Sequence, residues 1–506
     1  MILTELDVSK LNNMYKGDKA RDARSKIRGF LFQDLVAINF LLKNETEYVC
    51  TEFLEDINVF KNNGEMEFVQ VKYYPETTAD RKEIFTDLYY QYLRMKMLKN
   101  SLKYKASVII ATDKNVTKYS EKEMAVAINS IVGSDLPVVI KVPANKAMDW
   151  LINNIYVKNK IEQKKILFKN YSEAKKIKEF FPLVNIVKIK PDIEEYKEKL
   201  KEKLVKEFFV EASEKNKDIL LGLAIIQIQE KYSINSDELV DYLILKKDFY
   251  VYLENNINTE QSIGAYLVAT IHDIYIELES DIMDDVSEEI LEKLRIIADN
   301  TIKWIANLCK NIKGQYQLIN TLSFKRKIHI QEFCKKNVEE RLLDFAECRE
   351  NVKTFLKYLW KIILDINVDN EKDLKGKFDE KRLQPEKYIN SLVTEYISIN
   401  FLNGADTELL LPSIASDPAT NWKRVYERMV SEKEKPTQYY MPGQYRGAYS
   451  YTQKVTDVMS NTRITNPFMD NTYNIECMEC INIAWNKWSN LENCKSCIFS
   501  KKCKKD

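Results

Sequence analysis

Asp56, Gln70 and Lys72 are residue types, at spacings, from which metal-assisted phosphodiester cleavage could be built. Asp56 lies near the end of the run Val49-Cys50-Thr51-Glu52-Phe53-Leu54-Glu55-Asp56-Ile57, where Glu52 and Glu55 add two further carboxylates. Gln70 and Lys72 lie in Glu67-Phe68-Val69-Gln70-Val71-Lys72-Tyr73. Carboxylate and carbonyl oxygens are hard donors that suit Mg²⁺ (or Mn²⁺). Such a cation lowers the pKa of a bound water and offsets the charge developing on phosphorus. A lysine beside it orients that water or stabilises the same charge.

The elements that must position these groups follow from the pattern. Both runs alternate apolar and polar residues, and Asn62-Asn63-Gly64 between them is a turn signal. Residues two apart on a strand share a face, so Gln70 and Lys72 point one way and Val69, Val71 and Tyr73 the other. On the first strand Glu52, Leu54 and Asp56 share a face. The expected hairpin then gathers Asp56, Gln70 and Lys72 at one sheet edge. Charged residues on a half-exposed strand are more often a solvated face, but here the order of elements and the two flanking carboxylates favour a site.

Residues 15–43 have apolar positions at helical spacing (Ile27, Phe30, Leu31, Leu35, Ile38, Leu42), and Arg21, Arg24 and Arg28 lie on or near one face. Gly29 weakens that helix by roughly 1 kcal/mol relative to alanine. Residues 82–99 predict a second helix and Ala106–Thr112 a buried strand. Further strand-like pieces lie at 137–142 and 185–189. The order is helix, strand, strand, helix, strand.

Arg28-Gly29-Phe30-Leu31-Phe32-Gln33, Glu52-Phe53-Leu54-Glu55-Asp56-Ile57 and Val69-Gln70-Val71-Lys72-Tyr73 together resemble the PD-(D/E)XK endonuclease domain of bacterial anti-phage effectors. That domain occurs in CBASS DNA-degrading effectors, in Lamassu nuclease subunits and in nucleases paired with HerA-type ATPases. The resemblance covers about residues 15–115, extending toward 190. It implies that Asp56 binds the metal, that Gln70 occupies the acidic or amide position, and that Lys72 is the catalytic lysine. Gln33 falls where the family has a polar residue on its first helix, and Glu52 or Glu55 adds a second carboxylate. Gln70 departs from the commoner carboxylate, so Glu52 or the Val71 carbonyl would complete the shell. The activity implied is Mg²⁺-dependent cleavage of double-stranded DNA in a defence system against phages or plasmids, held off until triggered. Arg24, Lys26 and Arg28 would contact phosphates, which position DNA without specifying its sequence.

The 506 residues are 45% hydrophobic and 30% charged, with a net charge of +1. A soluble globular chain of two or three domains is expected, with no global basic field, so any DNA contact must be local. The longest strongly apolar run, Ile219–Ile226, is too short to span a bilayer, and no apolar signal region opens the chain. A cytoplasmic location, without membrane contact, is expected. The expected fold is an α/β restriction-endonuclease-like domain over 1–190, then a mostly α-helical assembly or regulatory domain over 191–385. The helical reading rests on the absence of proline from 192 to 384 and on long amphipathic runs such as Glu288–Cys309 and Val338–Leu364. Residues 386–506 predict an irregular tyrosine-rich region with a cysteine-rich, metal-binding end.

Cys477-x2-Cys480 and Cys494-x2-Cys497, thirteen residues apart, match a structural four-thiolate zinc site, and Cys503 is a fifth thiol nearby. An iron–sulfur cluster uses the same ligands. Cys309, Cys334 and Cys348 read as buried small hydrophobes, Cys50 as core, and His272 as structural. The Tyr-rich loop 436–451 has rings that could stack bases or line a protein interface, and a surface loop packing its rings on the helical domain is the favoured reading. The middle and end of the chain, helical and cysteine-rich, differ from the α/β nucleotide-sensing module, called SAVED, of CBASS effectors. An SMC-like or HerA-like ATPase with an accessory subunit is therefore the expected controller, and activation would bring copies of the chain together. Activation by a cyclic oligonucleotide is an alternative. A different class of function is a non-catalytic DNA-binding scaffold.

Overall fold

The computed structural model describes residues 8–12, 31–73, 81–98, 102–133, 160–190, 192–208, 213–232, 234, 236, 238–282, 288–322, 329–369, 383–387, 389–392, 396–400, 408–412, 438–441, 463–465 and 472–477. The chain forms two compact units, Met1–Asn255 and Asn256–Asp506.

The first unit is built on a six-stranded mixed sheet. Helix α1 (Leu31–Leu41) leads into β1 (Thr46–Thr51), β2 (Ile57–Lys61) and β3 (Glu65–Tyr73), an antiparallel meander. Gly64 makes the β2–β3 turn at φ +81°, where a Cβ would be strained. Helix α2 (Arg81–Leu98) then crosses to β4 (Lys103–Ala111), which runs parallel to β3. After α3 (Glu121–Val132), α4 (Lys160–Tyr171) and α5 (Ala174–Phe180), β5 (Val184–Ile189) adds a second parallel pairing, on β4. The spatial order is β5-β4-β3-β2-β1-β6, where β6 is the short strand Ile244–Leu245.

Both faces of this sheet are buried, so its central strands are apolar on both sides rather than alternating. One face carries Met66, Phe68, Ala106, Val108 and Ile110 into a core with Leu88, Tyr89, Tyr92 and Phe180 of α2 and α5. On the other face Val49, Val59, Val69 and Val71 are buried, and α1 packs on β1, β2 and β3.

Three expectations change here. The run Val49–Ile57 is not one strand. Pairing stops at Thr51, because Glu52 takes a left-handed φ of +53° and its N–H bonds the Asp56 carbonyl at 3.0 Å. Residues 52–56 therefore form a closed loop between β1 and β2, and the alternation of faces does not apply to Glu52, Leu54 and Asp56. The first unit also continues past 190. Helices α6 (Ile193–Glu207) and α7 (Glu214–Tyr232) pack on α1, and β6 pairs with β1. The Lys/Glu-rich composition that suggested a boundary belongs to the exposed side of α6. Its inward side holds Lys201 in a 2.7 Å ion pair with Asp218 of α7, the two side chains only 5% and 2% exposed.

In the second unit, helices α9 (Gln261–Ile282), α10 (Glu288–Leu308), α11 (Ile312–Leu322), α12 (Ile330–Lys335), α13 (Val338–Glu347) and α14 (Arg349–Asp369) follow α8 (Lys246–Asn256). Val338–Leu364 is split at Cys348, whose N–H turns back to the Phe345 carbonyl at 3.1 Å and tightens the last turn of α13. Trp360 is fully buried and donates its indole N–H to Thr301 at 2.8 Å. The third change is a second six-stranded sheet where irregular structure was expected. Its order is β11-β12-β10-β9-β8-β7, with β7 Ile389–Leu392, β8 Tyr396–Asn400, β9 Glu408–Pro412, β10 Gln438–Met441, β11 Arg463–Thr465 and β12 Thr472–Cys477. These strands are three to six residues long, too short for periodicity to announce them.

Cys50, Cys309 and Cys348 are buried as expected, but Cys334 is exposed. His272 is fully buried. No helix among the described residues is long and apolar enough to cross a membrane.

Replacing Asp218 by alanine would leave Lys201 buried without its α7 partner. A loss of about 3 kcal/mol in the stability of the first unit is expected, read as a lowered urea midpoint. An unchanged midpoint would show that Glu198, which also pairs with Lys201 at 2.7 Å, compensates its charge alone.

Candidate active site

The loop Glu52–Asp56 is held from three elements. From α1, the buried Gln33 donates its amide to Glu52 Oε1 at 2.6 Å and to the Asp56 carbonyl at 2.7 Å. From β2, the fully buried Asn58 accepts the backbone N–H of Leu54 at 3.0 Å and of Glu55 at 3.5 Å. From α2, the buried Gln91 donates to the Leu54 carbonyl at 2.9 Å. Side chains thus satisfy backbone groups that a strand partner would otherwise bond. They also hold Glu52 in the left-handed region, a conformation costing about 1 kcal/mol for a residue with a Cβ.

The same loop is tied to β3. Asp56 Oδ2 accepts the Val71 N–H at 2.7 Å, between Gln70 and Lys72. Gln70 donates to Glu55 Oε2 at 3.1 Å. Gln70 is buried and Lys72 half-buried, and their positions on β3 place them on the α2 face of the sheet. The structure therefore joins Asp56, Glu55, Gln70 and Gln33 through one loop, with Lys72 two residues along the strand from Gln70. Glu52 is linked to Gln33 rather than to Gln70; Glu55 is the carboxylate beside Gln70. The expected grouping of Glu52 with Asp56 on a strand face is replaced by this loop geometry.

The donor set suits a hard divalent cation. Asp56 and Glu55 offer carboxylate oxygens, and Gln70 Oε1 is buried without a hydrogen-bond partner among the described residues. An unsatisfied buried carbonyl oxygen is costly unless something electropositive completes it. No group of three or more His, Cys, Asp and Glu side chains gathers as a metal site among the described residues, so a cation here would draw on the amide as well.

Other residues of this neighbourhood went unnoticed in the sequence. Asn58 and Gln91 were legible only as polar residues inside apolar elements, Gln91 within Tyr89-Tyr90-Gln91-Tyr92. Lys164 of α4, nearly buried, forms an ion pair with Asp87 of α2. Burial pulls its ammonium down to about 8, and the field of Glu55 opposes the shift. Gln163, beside it, accepts the hydroxyl of the buried Tyr90. Arg24, Lys26 and Arg28 lie outside the described residues. So do Cys480, Cys494, Cys497 and Cys503; Cys477 is the last residue of β12. Of the tyrosine-rich loop 436–451, only Gln438–Met441 is described, as β10.

Asn58→Ala would strand the two loop N–H groups that its carbonyl accepts. A loss of about 2 kcal/mol is expected, measured by denaturant unfolding of the full chain. A cost within error of zero would show that water replaces Asn58.

Comparison of the chain with protein-family models, with curated proteins and with solved structures finds no match.

Proposed function

We propose that the first unit is a restriction-endonuclease-like, PD-(D/E)XK-type domain that hydrolyses phosphodiester bonds in double-stranded DNA with Mg²⁺ or Mn²⁺. The observation that carries this reading is the Asp56–Val71 hydrogen bond, which locks a metal-binding carboxylate between Gln70 and Lys72 on one strand. The helix–meander–helix–strand order, with β4 parallel to β3, supports it as the scaffold the sequence resemblance implies.

Asp56, Glu55 and the Gln70 carbonyl would hold the cation. When bound, the cation lowers the pKa of a water and offsets the charge that builds on phosphorus. Lys72 holds the attacking water or a phosphate oxygen in place. Gln33 keeps the Asp56 backbone fixed while its carboxylate carries charge. The half-buried position of Asp56 and Lys72 leaves them reachable from solvent, as a polymeric substrate requires.

The wider role follows the resemblance: an effector nuclease of a defence system, inactive until triggered. The preference for an ATPase controller rested on a helical, cysteine-rich middle and end, and the second sheet weakens that contrast with an α/β sensing module. An SMC-like or HerA-like ATPase partner and a cyclic-oligonucleotide signal are therefore tested side by side. A C-terminal zinc or iron–sulfur staple remains part of the proposal, with metal analysis of the purified chain as its check.

Plasmid cleavage by the full chain, alone and co-purified with the products of neighbouring genes, tests the activity. Cleavage should need Mg²⁺ and stop with EDTA. Asp56→Asn keeps an oxygen that can accept the Val71 N–H, so the fold should survive while cleavage falls by about 100-fold or more. Lys72→Ala should fall comparably. Cleavage unchanged in both variants would overturn the assignment, and DNA binding without any cleavage in either preparation would favour the scaffold.

A further inference from the structure

A cleft of about 350 Å³ opens in the first unit between α1 and α6, lined by Asn39, Tyr196, Lys199, Leu200, Glu202, Lys203 and Lys206. Three of its charged side chains are basic and one is acidic. Lys199, Lys203 and Lys206 are all exposed and fall at i, i+4 and i+7, one stripe of a helix. The stripe spans about 10 Å along the axis at 1.5 Å per residue. Its floor is fixed. Lys203 donates to Asn39 Oδ1 at 2.8 Å, and the Asn39 side chain also hydrogen-bonds the Tyr196 hydroxyl. The Tyr196 ring meets Phe32 edge-on, with centroids 5.6 Å apart.

That ring contact relates the cleft to the candidate active site. Phe32 precedes Gln33, the residue that holds the Glu52–Asp56 loop. One helix, α1, therefore carries both the loop clamp at its first turn and Asn39 at the cleft. The two are six residues apart, about 9 Å along the axis. A nucleic-acid strand carries one phosphate per 3.4 Å of helix rise, so the lysine stripe matches about two to three successive phosphates. Lysines act there as point charges on flexible stems, which suits backbone contact rather than base reading. Glu195 pairs with Lys199, and Glu202 lines the cleft beside the three lysines, so a phosphate at Lys199 takes the place of a carboxylate.

We propose that the α1–α6 cleft binds the phosphate backbone of duplex DNA, on the side of the sheet from which Gln33 of α1 holds the Glu52–Asp56 loop. This rests on the nuclease reading and adds to it a substrate-binding surface on α6. The surface is independent of Arg24, Lys26 and Arg28, where phosphate contacts were first expected.

The test is fluorescence anisotropy of a labelled 20-base-pair duplex with the full chain in EDTA, repeated over a range of salt. The triple variant Lys199→Gln, Lys203→Gln, Lys206→Gln should bind at least tenfold more weakly at 0.1 M salt. Its plot of log affinity against log salt should flatten by about 2 to 3 units, near 0.9 per lost phosphate contact. The double variant Lys199→Gln, Lys206→Gln leaves the Lys203–Asn39 bond intact and guards against misfolding; it should lose about two thirds of that slope. Lys122→Gln, on α3, is the charge control and should change neither quantity. Wild-type affinity and slope in both cleft variants, with normal Mg²⁺-dependent cleavage, would overturn the cleft and leave the nuclease reading standing. Absence of duplex binding by the wild type, with no cleavage even when it is co-purified with the products of neighbouring genes, would overturn both. An equal loss in Lys122→Gln would overturn the cleft in favour of general charge.

Discussion

The hydrogen bond from the Val71 amide to the Asp56 carboxylate joins a loop to a strand, and the geometry of the candidate site depends on it. A charge-assisted bond of this kind contributes about 1.5 to 3 kcal/mol, enough to select one loop conformation but not to hold it alone. The remaining restraint comes from neutral amides: Gln33, Asn58 and Gln91 each bond backbone of the same five residues. Their division among α1, β2 and α2 matters. Displacing the loop would require moving a helix on either side of the sheet together with the sheet itself. Rigid placement of a carboxylate is what a metal-dependent reaction needs, since small misplacements of a ligand cost rate steeply.

The sheet explains why the polar groups sit where they do. With helices on both faces, the middle of β3 and β4 is closed to water, and Val69, Val108 and Ile110 are almost fully buried. Charge can be placed only where it is partnered or near an end. At the start of β3, Glu67 is buried but receives Lys61 at 2.7 Å and the Ser107 hydroxyl, which hold its carboxyl below the usual range although burial alone would raise it. Toward the other end, Asp56 and Lys72 are half-buried. One end of the strand holds its carboxylate buried against Lys61, and at the other end the ionisable groups lie within reach of solvent.

Much of the first unit was legible in the sequence because its elements carry strong local signals. Residues 82–99 and 106–112 had clear helical and apolar-strand patterns, and they become α2 and β4. Gln70 and Lys72 share a face because β3 is regular through both. The loop was not legible. Glu52, Leu54 and Asp56 alternate as a strand would, and only tertiary bonds from Gln33, Asn58 and Gln91 break that pattern. The boundary at 190 was misplaced for a related reason. Composition reports the exposed side of a helix such as α6, whereas its membership of a unit is set by buried contacts like Lys201–Asp218. The second sheet was missed because each strand is only three to six residues long, too short to show a period.

The departure at Gln70 then acquires a physical reason. A carboxylate at that position would stand about as close to Glu55 as the amide does, and two like charges in a buried setting push one of the pair toward protonation. The amide avoids this. Its N–H₂ donates to Glu55 at 3.1 Å and holds that carboxylate in place, while its carbonyl oxygen stays available on the opposite side. On the nuclease reading, the acidic group that the family pattern puts on the strand has moved to the loop, and the strand supplies the group that orients it. Metal affinity at such a site depends on the loop staying closed, so the neutral residues Gln33, Asn58 and Gln91 control the charge at the site without carrying any of it.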